Sequence, residues 1–137
     1  METANADRVR KGIERLQRTG EFSLLGEVPD DFVWDLSTYA GWPEDPEYQG
    51  VDGVRRFMRD WLETWSEWRL ELEQVVESGD HVVALCRQRG IAKASGVPAE
   101  APVGQVWTFR GTRPTRMRMY ATHEEALTAA GGAGAAP

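Results

Sequence analysis

The chain has 137 residues and carries 16 Lys and Arg against 22 Asp and Glu, which gives a formal net charge of −6. This length predicts one domain that folds around its own core without disulfides or a structural metal, and the acidic balance disfavours nucleic acid as a partner. Cys86 is the single cysteine, and no apolar run reaches the roughly 18 residues of a membrane span, so we expect a cytoplasmic protein without membrane contact.

Helical segments and one strand are predicted in the first half of the chain. Apolar residues recur at helical spacing over residues 7–18, and a shorter helical stretch is predicted over residues 21–26. Residues 32–36 are aromatic and β-branched, which favours a strand. The clearest period in the sequence then predicts a long helix with an aromatic face, formed by Val54, Phe57, Met58, Trp61, Leu62 and Trp65.

The segment between this strand and the long helix is predicted to be a loop. Residues 37–50 contain two prolines and show no apolar period. Loops this long within a compact domain often cover a binding site, so we interpret residues 37–49 as a lid. Tyr39 and Trp42 in the lid are candidates for contact with a ligand, and the alternative is that both rings lie on the surface.

The second half of the chain predicts an antiparallel meander and a short helix. The apolar period changes to two after Trp68, and further strands are predicted over residues 81–91, 101–110 and 115–121. Thr122 and Glu125 form a capping box for a helix over residues 123–129. These elements predict one α+β domain over residues 1–130, followed by a disordered Gly/Ala tail over residues 131–137.

One face of the predicted sheet is expected to pair with a second copy of the chain. The helices can cover only one face of such a sheet, and the other face is left to solvent or to a partner. Arg69, Glu71 and Glu73 are predicted on that other face. It also receives a set of small, half-apolar side chains, namely Val82, Ala84, Cys86 and Gln88. We therefore expect a homodimer formed through the sheet face.

Four segments of the chain carry a resemblance to a known superfamily. They are residues 32–36 (Phe-Val-Trp-Asp-Leu), residues 48–50 leading into 54–57, residues 78–85 and residues 105–111. In this order they resemble the SnoaL-like branch of the NTF2-like superfamily, over about residues 7–127. The resemblance implies a cone-shaped fold in which a curved antiparallel sheet wraps a long helix and leaves a pocket at the wide end. Because the superfamily includes ketosteroid isomerase, polyketide cyclases and pockets with no known reaction, it implies a fold and not one activity.

Asp35 is the candidate catalytic base, and strand alternation places Trp34 on the opposite face. A carboxylate at the mouth of an apolar pocket is desolvated, so its pKa rises and it can take a proton from carbon next to a carbonyl. The position of Asp35 resembles that of the base in ketosteroid isomerase, and the same resemblance places that enzyme's two hydrogen-bond donors at Ile13 and Gln105. Ile13 has nothing to donate, whereas Gln105 offers an amide N–H to a developing oxyanion. The alternatives are an Asp35 carboxylate paired with arginine and a Gln105 amide bonded to nearby backbone.

Four further side chains are candidates for ligand binding. Trp61 on the long helix and Trp107 on the third meander strand are predicted to wall the pocket, together with Met119 on the last strand. The alternation that buries Val83 also directs Arg87 inward, where it would bind a ligand anion. The alternatives are aromatic rings that belong to the plain core and an arginine on a solvated face.

The sequence leaves two classes of function open for a pocket that takes a small molecule. One is a proton-transfer enzyme without cofactor or metal, such as an isomerase, cyclase or dehydratase, acting on an apolar substrate with a carbonyl group. The other is a non-catalytic ligand-binding or assembly module. The enzyme hypothesis predicts a cavity of about 300 Å³ or more that contains a carboxylate with a raised pKa.

Overall fold

The computed structural model describes residues 3–19, 28–39 and 46–131. The described helices are α1 (Ala4–Thr19), α2 (Gly50–Glu63) and α3 (His123–Ala129). The described strands are β1 (Val33–Asp35), β2 (Glu47–Gln49), β3 (Trp65–Ser78), β4 (His81–Ala92), β5 (Pro98–Arg110) and β6 (Arg113–Tyr120). Within these ranges the longest helix has 16 residues, and none is long and apolar enough to cross a membrane. The predicted helix over 21–26, Trp42 of the lid and the predicted tail beyond Gly131 lie outside the described residues.

The six strands form one curved sheet in the order β2-β1-β6-β5-β4-β3. All neighbouring strands are antiparallel except β1 and β6, which run parallel with Trp34 opposite Met117. The helices and this sheet confirm the predicted α+β, NTF2-like fold. Part of the predicted loop over residues 37–50 is a strand, because Tyr48 in β2 pairs with Trp34 and buries its ring against Phe57.

The inner face of the sheet, which packs against α1 and α2, holds the main core. Most of the apolar stripe of each helix is buried on it, as the helical period predicts, but Leu62 of α2 is 42% exposed. The long helix ends earlier than predicted, because the Thr64 hydroxyl donates to the Trp61 carbonyl at 2.7 Å and the chain then turns into β3. Trp65 is therefore the first residue of a strand and not the last position of a helix face.

The outer face of the sheet is partly covered by α3. Val83 and Leu85 of β4 pack there against Ala126 of α3. Gly104 of β5 allows this approach, since a Cβ atom at that position would lie 2.4 Å from the Ala126 Cβ.

This packing corrects the predicted dimer surface. The alternate residues of β4 belong to the inner core rather than to an open face, namely Val82, Ala84, Cys86 and Gln88. The outer face instead carries ion pairs, including Arg89 with Glu71 at 2.9 Å. The β4 residues named for the dimer surface are therefore wrong, and dimerisation itself stays a prediction.

Candidate functional site

Two adjacent spaces lie between the helices and the inner face of the sheet. The first is an open groove of about 520 Å³ between α1, α2 and β3. The second is a cavity of about 20 Å³ beside it, which is enough for one water molecule. Both spaces are lined by Leu16, Met58, Trp68 and Leu70. The two spaces therefore share part of their wall.

Four aromatic rings form one part of the cavity wall. Trp61 packs against Phe57 with ring centroids 5.7 Å apart, and against Trp68 edge to face at 6.4 Å. Trp34 of β1 completes this group and contacts Phe57 at 5.3 Å. The remaining wall contains Met119 and the amides of two glutamines, so the structure places the predicted Trp61, Gln105 and Met119 around one space. The full lining is Leu16, Trp34, Phe57, Met58, Trp61, Trp68, Leu70, Gln88, Val103, Gln105 and Met119.

The Gln105 side chain is buried with its amide orientation fixed by a neighbour. The indole Nε1 of Trp107 donates to Gln105 Oε1 at 3.0 Å, and Gln105 is only 4% exposed. An indole N–H can only donate, so the oxygen of the amide must face Trp107 and the NH₂ group must face away from it. No hydrogen-bond acceptor for that NH₂ group occurs among the described residues. Gln105 therefore presents an unused donor at the wall of the cavity.

Trp107 itself does not line the cavity, which corrects its predicted role as a wall. The ring is 1% exposed, stacks on Phe32 at 5.9 Å and meets Trp34 edge to face at 5.7 Å. It lies behind Gln105 and holds the amide oxygen.

A second hydrogen-bonded chain crosses the boundary between groove and cavity. Trp68 Nε1 donates to Gln88 Oε1 at 3.1 Å, and Gln88 Nε2 donates to the Tyr39 hydroxyl at 2.9 Å. Tyr39 also packs edge to face on Trp61 at 5.9 Å. Burial raises the pKa of Tyr39 and outweighs the opposing effect of the Gln88 hydrogen bond, so its hydroxyl is neutral at physiological pH.

Sequence reasoning missed Gln88 and Trp68. The signal for Gln88 was a polar residue that continues the alternation of Val82, Ala84 and Cys86, but that alternation was placed on the other face. The sequence pattern marks Trp68 only as the point at which the apolar period changes. Both residues belong to the site because β3 begins at Trp65 and turns the Trp68 ring toward α2.

Asp35 lies on the outer face, away from the cavity. Its Oδ2 atom is 2.6 Å from Arg116 Nη1 and 3.0 Å from Arg118 Nε, and its Oδ1 accepts from the Ser37 backbone N–H at 2.8 Å. Burial alone would raise the pKa of Asp35, but the hydrogen bonds from Ser37 and Arg118 outweigh it and hold the pKa below its ordinary value. The structure thus has the arginine-paired arrangement that the sequence left open as the alternative to a base.

Arg87 also lies on the outer face, which corrects its predicted inward position. Its guanidinium group is 3.4 Å from Glu73 and 3.3 Å from Glu100. The prediction failed because Val83, whose burial set the alternation, is buried by α3 and not by the inner core.

The cavity can bind an apolar ring and donate a hydrogen bond, but its described lining contains no group that titrates. A carbonyl oxygen placed at Gln105 Nε2 would accept a hydrogen bond among mainly apolar side chains, where such a bond is stronger than in water. No cavity-lining carboxylate is available among the described residues to remove a proton from the neighbouring carbon.

The sequence and fold match known proteins as follows. The model of one family, the SnoaL-like domain, matches residues 24–117. No curated protein is similar enough in sequence to match the chain. The fold is similar to that of an NTF2-like protein of unknown function from Burkholderia pseudomallei, with 24% identity, a TM-score of 0.74 and coverage of 93% of this chain and 97% of the other.

Two further solved structures share the fold. A putative SnoaL-like polyketide cyclase from Jannaschia sp. CCS1 is 17% identical, with a TM-score of 0.67 and coverage of 97% of each chain. A hypothetical protein with a ketosteroid isomerase-like fold from Catenulispora acidiphila, in complex with trimethylamine, is 16% identical. Its TM-score is 0.68, and the alignment covers 91% of this chain and 92% of the other. At these identities the likeness is one of fold.

Proposed function

Because the chain belongs to the family of SnoaL-like domains, we propose that its site binds a small, mainly apolar molecule with a ring system and a carbonyl oxygen. The body of the ligand occupies the groove of about 520 Å³, a volume typical of small-molecule sites. One end of the ligand reaches past Trp68 into the cavity, where the carbonyl oxygen accepts from Gln105. The proposed role is recognition of this molecule.

The observation that carries the proposal is the unused amide donor of Gln105. The Gln105 side chain is 4% exposed, and an acceptor for its amide donor would contribute about 0.5–1.5 kcal/mol net. The Trp107 indole fixes the direction of the amide, and mainly apolar side chains line the cavity around it. A ligand with an acceptor oxygen satisfies the group, whereas a plain hydrocarbon does not.

The aromatic walls support a ligand with a flat ring. Trp61 and Trp68 meet at 80°, so one ring can offer its face to a ligand while the other offers its edge. Met58, which lines both spaces, is a flexible side chain that can adapt to the ligand outline. The trimethylamine bound to the similar fold from Catenulispora acidiphila supports small-molecule binding in general but not this ligand class.

The position of Asp35 argues against proton transfer as the function of this site. The enzyme hypothesis called for a carboxylate of raised pKa in the cavity, and Asp35 has a lowered pKa and two arginine partners on the other face of the sheet. The small-molecule function therefore rests on Gln105 and the rings, without a role for Asp35 in chemistry.

The test compares acetylnaphthalene, which has a ketone, with ethylnaphthalene, which has the same ring but no acceptor. Binding is followed by quenching of the six tryptophans. We expect the ketone to bind about 3- to 10-fold more tightly, as one net hydrogen bond provides. Gln105→Met keeps the length of the side chain but has no hydrogen-bond donor, so the preference for the ketone should disappear in this variant.

Gln74→Leu is the matched control, since Gln74 is an exposed glutamine of β3. This control should keep the wild-type preference. Equal affinity of the wild type for both compounds would overturn the assigned role of Gln105. The absence of saturable binding by either compound would overturn the proposal of a binding site.

A further inference from the structure

The cavity wall contains a second buried glutamine, Gln88, and we infer that its amide donates to a second acceptor oxygen of the ligand. This inference rests on the proposed function and narrows its ligand to a flat ring with two carbonyl oxygens on opposite sides. One oxygen accepts from Gln105 and the other accepts from Gln88.

Only one of the two N–H groups of the Gln88 amide has an acceptor. Gln88 is 4% exposed and lines the cavity. Its Oε1 atom accepts from the Trp68 indole at 3.1 Å, and its Nε2 atom donates to the Tyr39 hydroxyl at 2.9 Å. An amide NH₂ group has two donors, and the residues in ranges 3–19, 28–39 and 46–131 provide no acceptor for the second one. Gln88 can therefore donate to a ligand and keep its hydrogen bond to Tyr39.

The strand register places Gln88 and Gln105 on the same face of the sheet. Gln105 of β5 stands opposite Ala84 of β4, and Ala84 and Gln88 are four residues apart on one strand. An even separation keeps side chains on one face, and four residues at about 3.3 Å each separate the two positions by about 13 Å along the strands. The two amides thus reach the cavity from separate positions, which favours two separated oxygens over one shared oxygen.

The polar groups of the cavity wall are mainly hydrogen-bond donors. The three indole rings in the lining can donate but not accept, namely those of Trp34, Trp61 and Trp68. Each of the two amide oxygens already accepts from an indole, at 3.0 Å for Gln105 and 3.1 Å for Gln88. A ligand with two acceptor oxygens is complementary to this wall.

An apolar surface lies between the two amides. Val103 of β5 pairs with Cys86 of β4, which is the register position midway between the two glutamines. Val103 lines the cavity at this position, and both Val103 and Cys86 are buried. A flat ring that packs on Val103 can direct one carbonyl group toward each amide.

The experiment compares two naphthalenes with para substituents on one ring, the diacetyl compound and the acetyl-ethyl compound. They have nearly the same shape and differ only in the second carbonyl group. The symmetric diketone gains about twofold from its two equivalent orientations, and a second net hydrogen bond adds about 3- to 10-fold beyond that factor. We therefore expect the wild type to bind the diketone about 6- to 20-fold more tightly, measured by tryptophan quenching.

Gln88→Met keeps the length of the side chain but has no hydrogen-bond donor, so it should reduce the preference for the diketone to about twofold. A purely structural role of Gln88 would instead weaken both compounds to the same extent and leave the preference intact. Gln74→Met is the matched control, since Gln74 is an exposed glutamine of β3, and it should keep the wild-type preference.

The wild-type comparison needs no variant, so it decides the inference even if Gln88→Met does not fold. A wild-type preference of about twofold or less, or a full preference in folded Gln88→Met, would overturn the role of Gln88 while the site at Gln105 stands. If neither compound binds to saturation, the proposed function fails together with the inference.

Discussion

Replacement of Asp35 by asparagine tests whether this carboxylate stabilises the fold or serves the binding site. Asp35 is fully buried, and it joins β1 to β6 through Arg116 at 2.6 Å and Arg118 at 3.0 Å. These contacts fasten the one parallel pair of strands in the described sheet. Asp35→Asn keeps the size of the side chain and removes its charge.

The expected cost follows from the exposure of the two partners. Removal of one member of a fully buried ion pair costs about 3–5 kcal/mol. Arg116 and Arg118 have side chains that are 36% and 41% exposed, so water continues to solvate them and the loss is smaller. We expect Asp35→Asn to lower the free energy of unfolding by about 2 kcal/mol, which for a chain of this size lowers the Tm by about 7 °C.

The lowered pKa of Asp35 determines how the stability difference between wild type and Asp35→Asn changes with pH. The pKa of Asp35 in the folded protein lies below its ordinary value of 3.8, so the unfolded chain binds this proton at a higher pH than the folded chain does. The stabilisation is complete above about pH 4 and is lost as the pH falls through the lower pKa of the folded state. The difference between wild type and Asp35→Asn should therefore be constant from neutral pH down to about pH 5 and should narrow below pH 4.

Urea unfolding at several pH values measures this difference directly. Asp31→Asn is the control, because Asp31 is an exposed aspartate close to the same strand, and its effect should stay within about 0.5 kcal/mol. A variant Asp35→Asn that keeps wild-type stability but loses affinity for acetylnaphthalene would refute the structural role of Asp35 and return it to the binding site.

Two further predictions concern buried groups near the cavity. Gln88→Leu removes the acceptor of the Trp68 indole and the donor to Tyr39, so we expect the free energy of unfolding in urea to fall by about 1–3 kcal/mol. Gln74→Leu is the exposed control. Equal stability of both variants would contradict the hydrogen-bonded chain. Burial raises the pKa of Cys86 to about 12, so its thiol should react with a thiol reagent only after unfolding, and rapid reaction in the native protein would show that the inner core is open.

The fold could be predicted from sequence because its signals agree at several levels. The period of α1, the capping box of α3 and the alternation of β5 each gave an element at the right place, and α3 was predicted with its observed bounds. The predicted end of α2 was wrong because Trp65 continues the apolar period of the helix. The Thr64 hydroxyl, which forms a hydrogen bond at the end of the helix, has no comparable periodic signal in the sequence.

The site was harder to predict because face assignment depends on one residue of register. Both sets of alternate residues in β4 are apolar, since Val82 faces the inner core and Val83 lies under α3, and the period alone does not distinguish them. The same ambiguity applies to Trp34 and Asp35, since alternation alone does not say which of the two faces the cavity. The arginine partners of Asp35 on β6 can be identified only when the parallel pairing of β1 with β6 is known.

The side-chain amide signal of Gln105 in a nitrogen-15 NMR spectrum tests the central claim most directly, with the signal identified by its loss in Gln105→Met. We predict that acetylnaphthalene shifts this signal strongly and that ethylnaphthalene leaves it nearly unchanged. Equal shifts with both compounds, or a response confined to surface residues, would contradict the claim that this buried amide donates to the ligand.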